Sequence, residues 1–457
     1  MEAPNIILIT VDCLRADHLG CYGYDRDTSP NIDSLASKGA LFSEAISNGG
    51  STPNAFPSIL ASALPPLDRY EANLILQRST TLAELLREAG YGTAAFHSNV
   101  YLSRVFNYDK GFNIFRDNLG SLNFLQKLKS KWVTSGEYSL SSKVLTKLIR
   151  FSKFATTLIS GPPYLRSETL VNQAAHWLVT QKERFFLWLH LMDVHHPYMP
   201  LLRYRQQFCS GRVGQRQMTT LYYKYLRQPE RLSLSEIKTL IDLYDADVKY
   251  VDDMIGRLLD TLGEYLPSTA VIITADHGEE INEHGNFGHQ SVYDGVLRVP
   301  LIIVAPGVKA GTVVKSQVSL LDLSPTVAEI VGIKSAQDFM GQSLLPLIKR
   351  EETKRGPAIS TFVHPVLDKR NIAYRIPGWK YICTESLDGA LLAEETYNLR
   401  NDPEETKNLH GVDKREVGRF ELEAKDKLNQ FKRLKTEDNT AYEKQRIKVK
   451  LGKLGRL

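Results

Sequence analysis

Two short corners ending in carboxylates carry the chemistry most readily read from this chain. Val271-Ile272-Ile273-Thr274-Ala275 runs into Asp276-His277-Gly278, and Asn5-Ile6-Ile7-Leu8-Ile9-Thr10-Val11 runs into Asp12. A carboxylate beside an imidazole suits one divalent cation, and mixed Asp/His ligation serves Ca, Mg, Mn and Zn alike. An Asp-His pair alone is more often a strand-end turn, but two apolar runs with the same polar ending make a candidate site. Between them lies Ser47-Asn48-Gly49-Gly50-Ser51-Thr52-Pro53, leading into an apolar run to Leu60. A glycine pair, adjacent hydroxyls and a proline place Ser51 or Thr52 at a helix N-terminus, where free N–H groups and the dipole favour an anion. A hydroxyl held on a metal there can lose its proton and attack; a Ser or Thr that only caps the helix is the competing reading.

These residues need elements that bring them to one place. Both apolar runs read as buried parallel strands, and open α/β sheets gather their chemistry at the C-terminal edge of such strands. Residues 185–191 form a third run, continuing into Met192-Asp193-Val194-His195-His196-Pro197-Tyr198; His190, inside the run, reads as a core histidine. Leu301-Ile302-Ile303-Val304 is a further strand. Ser29 before Pro30 starts a helix reaching Lys38, and a helix is expected from Ser324-Pro325 through Val331. Asp17 is either a second metal ligand or a loop carboxylate paired with Arg15. Asp294 and Arg298 read as packing or supporting residues, and His284, in the loop after His277, as a structural histidine.

Composition sets the bounds. A chain of 457 residues, 42% hydrophobic and 24% charged, has room for one large α/β domain and a smaller one. The first residues lack a basic leader, no apolar stretch is long enough to span a membrane, and the four cysteines have no metal-finger or disulfide-scaffold spacing, so a cytoplasmic location is expected. The net charge of +5 is uneven: from Lys425 to Leu457 eleven Lys/Arg face four Asp/Glu, so that end carries +7 and the remainder −2. Residues 121–166 form a basic amphipathic insertion in which Lys127, Lys129, Lys131, Lys143, Lys147, Arg150 and Lys153 face only Glu137. It suits a solvated helix on the body, a lid over an anionic substrate or a peripheral membrane contact. No internal repeat and no nucleic-acid-binding motif is present, and oligomeric state is not encoded in any pattern here.

The segments Thr10-Val11-Asp12-Cys13-Leu14-Arg15-Ala16-Asp17-His18-Leu19-Gly20-Cys21-Tyr22-Gly23, Thr274 to Glu279 and Arg298-Val299-Pro300-Leu301-Ile302 resemble the sulfatase family of the alkaline-phosphatase superfamily. The stretch Tyr244 to Asp253 and the late Tyr397-Asn398-Leu399 with Asp402-Pro403-Glu404-Glu405 resemble it as well, and the matches are collinear from about residue 5 to 410. The resemblance implies an α/β fold: an alkaline-phosphatase-like three-layer sandwich with a mostly parallel sheet over 1–350. A small α+β C-terminal subdomain follows over 351–415, with an antiparallel sheet containing 371–375 and 379–382, and then a basic helical or flexible tail over 416–457. It implies a metal on Asp12, Asp276, His277 and the nucleophile, with His195 at the substrate anion and His289 assisting the leaving group. Ser51 has Pro53 in place but Ala55 where the formylglycine signature has arginine, which argues against that modified residue; alignment back from Leu60-Ala61-Ser62 puts Thr52 at the nucleophile position. Where relatives continue into a sulfate-gripping Lys-Trp-His, this chain has His97-Ser98-Asn99, so the cationic clamp is missing and Asn99 either bonds substrate or caps the next turn. The function implied is metal-dependent hydrolysis of a sulfate or phosphate ester by a hydroxyl nucleophile, on an anionic substrate that is glycan- or lipid-linked. A phosphoryl-group transferase acting on a glycan or lipid, and an inactive binding protein with this fold, are the other readings.

Overall fold

An unbroken apolar run is stable as a strand only where both its faces are covered. In the computed structural model, which describes residues 3–119, 162, 164–351, 353–364 and 367–453, Asn5–Val11 therefore lies in the middle of an eight-stranded sheet. Thr269–Ala275 and Phe185–Leu191 flank it, both parallel to it, with Thr10 level with Thr274 on one side and His190 on the other. Gly92–Phe96 and Ile114–Arg116 extend the parallel set. On the other side Leu301–Val304 pairs antiparallel with Thr269–Ala275, followed by Ala40–Phe42 and Thr312–Val314. Because the four central strands run the same way, Asp12, Asp276, Met192 and His97 all emerge at one edge.

Helices cover both faces. Pro30–Ser37, Ser167–Leu178 and Leu202–Phe208 gather around Leu234–Leu262 on one side; Thr52–Ala61, Leu82–Glu88 and Leu323–Ile330 pack together on the other. This is the three-layer sandwich that the resemblance implies. Leu234–Leu262 opens with a reciprocal cap between Ser233 and Glu236, and its buried face also does local work. The Tyr244 hydroxyl accepts the Arg15 N–H at 2.9 Å and donates to the Cys13 carbonyl at 2.7 Å, clamping the turn after Asp12, where Cys13 takes φ +62°. A non-glycine residue holds that conformation only where its surroundings over-determine it. Asp252 on the same helix accepts the N–H groups of Asn31 and Ile32 at 3.1 and 2.8 Å. The helix after Pro30 thus starts where the sequence predicts, but its first donors are satisfied by that distant carboxylate, and Ser29 makes no capping bond.

The C-terminal part is an antiparallel sheet of Ala358–Val363, Lys369–Ile376, Trp379–Ser386 and Leu391–Asn398. One face buries Ala358, Phe362, Ala373 and Ile382 against Ile46, Val292 and Leu297 of the large domain. The other face receives the helix Arg415–Lys453 through Val417, Phe420, Ala424, Leu428 and Phe431. The beginning of the segment expected as a tail is therefore part of the subdomain core. Its apolar residues recur every three or four positions, a stripe that the dense charge around them obscures. Nearly all of the basic insertion expected over 121–166 lies outside the described residues. Among the described residues no helix is long and apolar enough to cross a membrane, and all four cysteines are unpaired.

Candidate active site

Asp12, Asp276 and His277 meet at the sheet edge with no solvent exposure. His277 Nε2 is 3.7 Å from Asp12 Oδ1 and 3.5 Å from Asp276 Oδ2. Its ring is oriented by the Gly278 carbonyl, 2.9 Å from Nδ1, and Gly278 N donates at 2.7 Å to the Val296 carbonyl of the short helix Asp294–Leu297. Asp276 Oδ2 and His277 Nε2 have no hydrogen-bond partner among the described residues. Burial raises the Asp276 carboxyl, and the charge of Asp12 raises it further. Burial pushes Asp12 upward too, but His195, His190 and His277 together hold it well below the usual carboxylate range. Two buried carboxylates and an imidazole with convergent unpaired atoms are a donor set that a divalent cation fits.

The hydroxyls of Ser51 and Thr52 part company. Ser51 occupies the N-cap position of the helix Thr52–Ala61 in extended conformation without a side-chain cap bond, and its Oγ donates to Asn54 Oδ1 at 2.6 Å. Thr52 Oγ1 donates instead toward Asp12 Oδ2 at 3.4 Å. Asn99 takes the capping role, one of the two expected of it: its Oδ1 accepts from Tyr101 N at 2.9 Å, while its Nδ2 donates to Asp12 Oδ2 at 2.9 Å and lies 3.4 Å from Thr52 Oγ1. The loop before the helix is held by the first strand of the C-terminal sheet: Gly50 N donates to the Thr361 carbonyl at 3.0 Å, Thr361 N to the Asn48 carbonyl at 3.0 Å, and Ser360 Oγ to the Ser47 carbonyl at 2.6 Å. A Cβ on Gly50 would come within 2.1 Å of the Ser291 carbonyl, so the backbone approach requires glycine. Gly50→Ala is expected to lower turnover about 100-fold by displacing Thr52 on the ångström scale, with a far smaller change in thermal midpoint; equal turnover in parent and variant would show that the loop is not under this constraint.

Around this centre stand His195, His196 and His289, with the His289 ring tilted against His277 at a centroid distance of 4.5 Å and His195 at 5.2 Å from His289. Burial lowers both His195 and His289 below the ordinary histidine value. Burial works against the charge of Glu279, yet His196 and His289 keep it well below the usual range. Asp17 pairs with Arg15 at 2.7 Å, the second of its two expected roles. Asp294 turns to Arg375 and Lys380, and Arg298 to Ser43 and Glu44, away from the centre.

His284 is structural: it stacks on Tyr293 at 3.9 Å, and its Nδ1 meets Glu280 at 3.0 Å, which raises it to about 9 from 6.5. A histidine raised on folding adds stability in full below about 6.5, and the contribution is lost as pH rises through about 9. Because the pair is partly open to water, the expected effect is at most about 1 kcal/mol. His284→Gln should flatten the fall in urea midpoint between those two pH values, and an unchanged slope would remove His284 from the account.

The sequence missed three members of the centre. His190 is in the core, as expected, but its Nε2 lies 3.4 Å from Asp12 Oδ2 while its Nδ1 meets Thr10 Oγ1 at 2.9 Å. Its place near the end of a strand adjacent to Asn5–Val11 was the available signal. Cys13 Sγ is 3.2 Å from Asp12 Oδ1, and Glu279 joins the histidines; neither residue type stands out where cysteine reads as core and glutamate as loop.

The sulfatase family model matches residues 4–333, and a model described as N-sulphoglucosamine sulphohydrolase, C-terminal, matches 282–433. Arylsulfatase K of Homo sapiens is 35% identical over 189 residues, covering 39% of this chain and 35% of that protein. The chain thus matches about a third of the length of this curated relative. A phosphonate monoester hydrolase of Agrobacterium radiobacter has a similar structure, with a TM-score of 0.70, 19% identity and coverage of 94% of this chain and 96% of that one. A protein solved with its substrate D-glucosamine-2-N,6-O-disulfate gives a TM-score of 0.72 at 19% identity, covering 95% and 99%. At that identity the likeness speaks for the alkaline-phosphatase-like fold.

Proposed function

The chain belongs to the sulfatase family, and from that premise we propose that it hydrolyses a sulfuric ester with the unmodified Thr52 hydroxyl as nucleophile. The observation that carries the choice of residue is the divergence of the two hydroxyls: Thr52 faces Asp12 at 3.4 Å, and Ser51 is engaged by Asn54 at 2.6 Å. A divalent cation held by Asp12, Asp276, His277 and Thr52 would lower the hydroxyl pKa and draw charge from the ester oxygens. The hydroxyl proton leaves along the contact with Asp12, Thr52 Oγ1 attacks sulfur, and the bond from sulfur to the alcohol oxygen breaks. Asn99, which already reaches Thr52, positions the nucleophile, while His195 contacts an ester oxygen. An anionic substrate beside His289 raises its proton affinity, so that it can pass a proton to the departing alcohol. Water then cleaves the bond from Thr52 to sulfur and restores the hydroxyl.

A sulfated sugar is the proposed substrate class. The match of the C-terminal region to the N-sulphoglucosamine sulphohydrolase model and the similarity to a structure holding a glucosamine disulfate support it. The likeness to a phosphonate monoester hydrolase makes a phosphorus ester the comparison substrate. The test is turnover of a matched aryl sulfate, aryl phosphate and phosphonate ester, and of a sulfated glucosamine, with Ca, Mg, Mn or Zn added. Sulfate turnover above phosphorus-ester turnover, lost on chelation and restored by one metal, is expected. Phosphorus-ester turnover alone would reassign the substrate, and silence on every ester with metal bound would sink the hydrolase reading.

A further inference from the structure

Residues 164–167 lie outside the centre, yet they bind two of the loops that feed it. Ser167 opens the helix Ser167–Leu178, whose first N–H groups need acceptors, and Arg166 at the N-cap position gives no side-chain cap. Asp193 supplies the acceptor from a distance, standing two residues before His195: its Oδ2 accepts from Ser167 N at 2.7 Å and from Ser167 Oγ at 2.5 Å. A carboxylate is favoured there by the helix dipole. Arg166 spans the same loop, with Nη1 donating to Asp193 Oδ1 at 2.9 Å and Nη2 to the Met199 carbonyl at 2.6 Å. Asp247 stands 3.9 Å from that Nη1, its oxygens buried without a hydrogen-bond partner among the described residues. That separation is too long for a hydrogen bond, so the guanidinium is committed to the loop. Tyr164 Oη donates to the carbonyl of His195 itself at 3.1 Å. On the other side Leu165 N donates at 3.2 Å to Ser98 Oγ, which precedes Asn99 at the end of the adjacent strand Gly92–Phe96.

We propose that residues 164–167 are a clip that sets the position of His195, with Tyr164 and Arg166 as positioning residues acting through it. The inference rests on the role given to His195 above and names the groups on which that role depends. A loop has no ladder of its own to fix it. Here a side chain at 193 and carbonyls at 195 and 199 are each held by a donor from the start of one helix, on both sides of the imidazole. The His195 N–H is already turned back to the Met192 carbonyl at 3.0 Å, and its ring Nδ1 meets the His196 carbonyl. The ring therefore follows its peptide. A shift of about 1 Å in a group that contacts the reacting ester costs on the order of 100-fold in rate. Removing one of several anchors is expected to cost about tenfold.

The experiment is a double-mutant cycle on the full-length protein at saturating metal: Tyr164→Phe, His195→Gln and the pair, read as kcat and KM on whichever ester the parent turns over. Tyr164→Phe should lower kcat about tenfold with KM within about twofold of the parent, the pattern of an interaction realised in the transition state. Once His195 is gone the clip has nothing to position, so the pair should fall within about twofold of His195→Gln alone. Arg166→Lys keeps a charge for Asp193 but cannot also reach Met199, and it should show the same dependence on His195. That variant keeps the test decisive if Tyr164→Phe does not fold. Losses that multiply across the pair, or a parental kcat in Tyr164→Phe whatever its thermal midpoint, overturn the clip and leave the proposed reaction standing. Parental turnover in His195→Gln removes His195 from that reaction and the clip with it, and a parent silent on every ester sinks both.

Discussion

Thr52→Ala is expected to lower sulfate-ester turnover by about 10⁴-fold or more, because removal of a nucleophile leaves only binding and polarisation to act on the ester. Ser51→Ala should stay within several-fold of the parent. Its hydroxyl is committed to the Asn54 side chain at 2.6 Å, and losing one such hydrogen bond costs about 1 kcal/mol of stability rather than a reaction step. Thr52→Ser, which keeps the hydroxyl, should recover a measurable part of the rate. The measurement is kcat/KM on one aryl sulfate for all three variants at saturating metal, with circular dichroism to confirm folding. A large loss in Ser51→Ala with Thr52→Ala near the parent would reverse the assignment. A modest loss in both would make a bound water the nucleophile.

Lys380→Met should destabilise the protein by about 3–5 kcal/mol at pH 8, the cost typical of removing one partner from a buried ion pair. Lys380 has no exposed surface, and its Nζ donates to Asp294 Oδ1 at 2.6 Å and Glu405 Oε1 at 2.7 Å. Arg375 Nη2 also donates to Asp294, at 2.7 Å, so loss of the ammonium strands Glu405 above all. Burial already raises the Glu405 carboxyl to about 7, and without Lys380 it rises further. An acid raised on folding loses stability as pH climbs, so the deficit of the variant should widen between pH 6 and 8. Urea midpoints at those two values check this; a deficit below about 1 kcal/mol, or one indifferent to pH, would contradict it. The effect reaches the active site, because the Asp294–Leu297 helix holds Gly278 beside His277. Metal affinity should fall together with stability.

What the sequence determined by itself was local. Apolar runs that end in Asp12 and Asp276-His277 read as buried parallel strands, and parallel strands share an edge, so the meeting of these three residues follows from the period and polarity of the chain. The same holds for Thr52: two glycines, two hydroxyls and a proline set it at a helix start. Which hydroxyl faces Asp12 was decided by tertiary structure, since the torsions that separate Ser51 from Thr52 are imposed by Asp12, Asn99 and the C-terminal strand holding Gly50. His190, Cys13 and Glu279 joined the centre for the same reason. Each lies beside a recognisable residue in space, through strand register or a clamped turn, and carries no pattern that distinguishes it in one dimension. The helix after 415 is the inverse case: its apolar stripe was present, but only the face of the C-terminal sheet made that stripe a core.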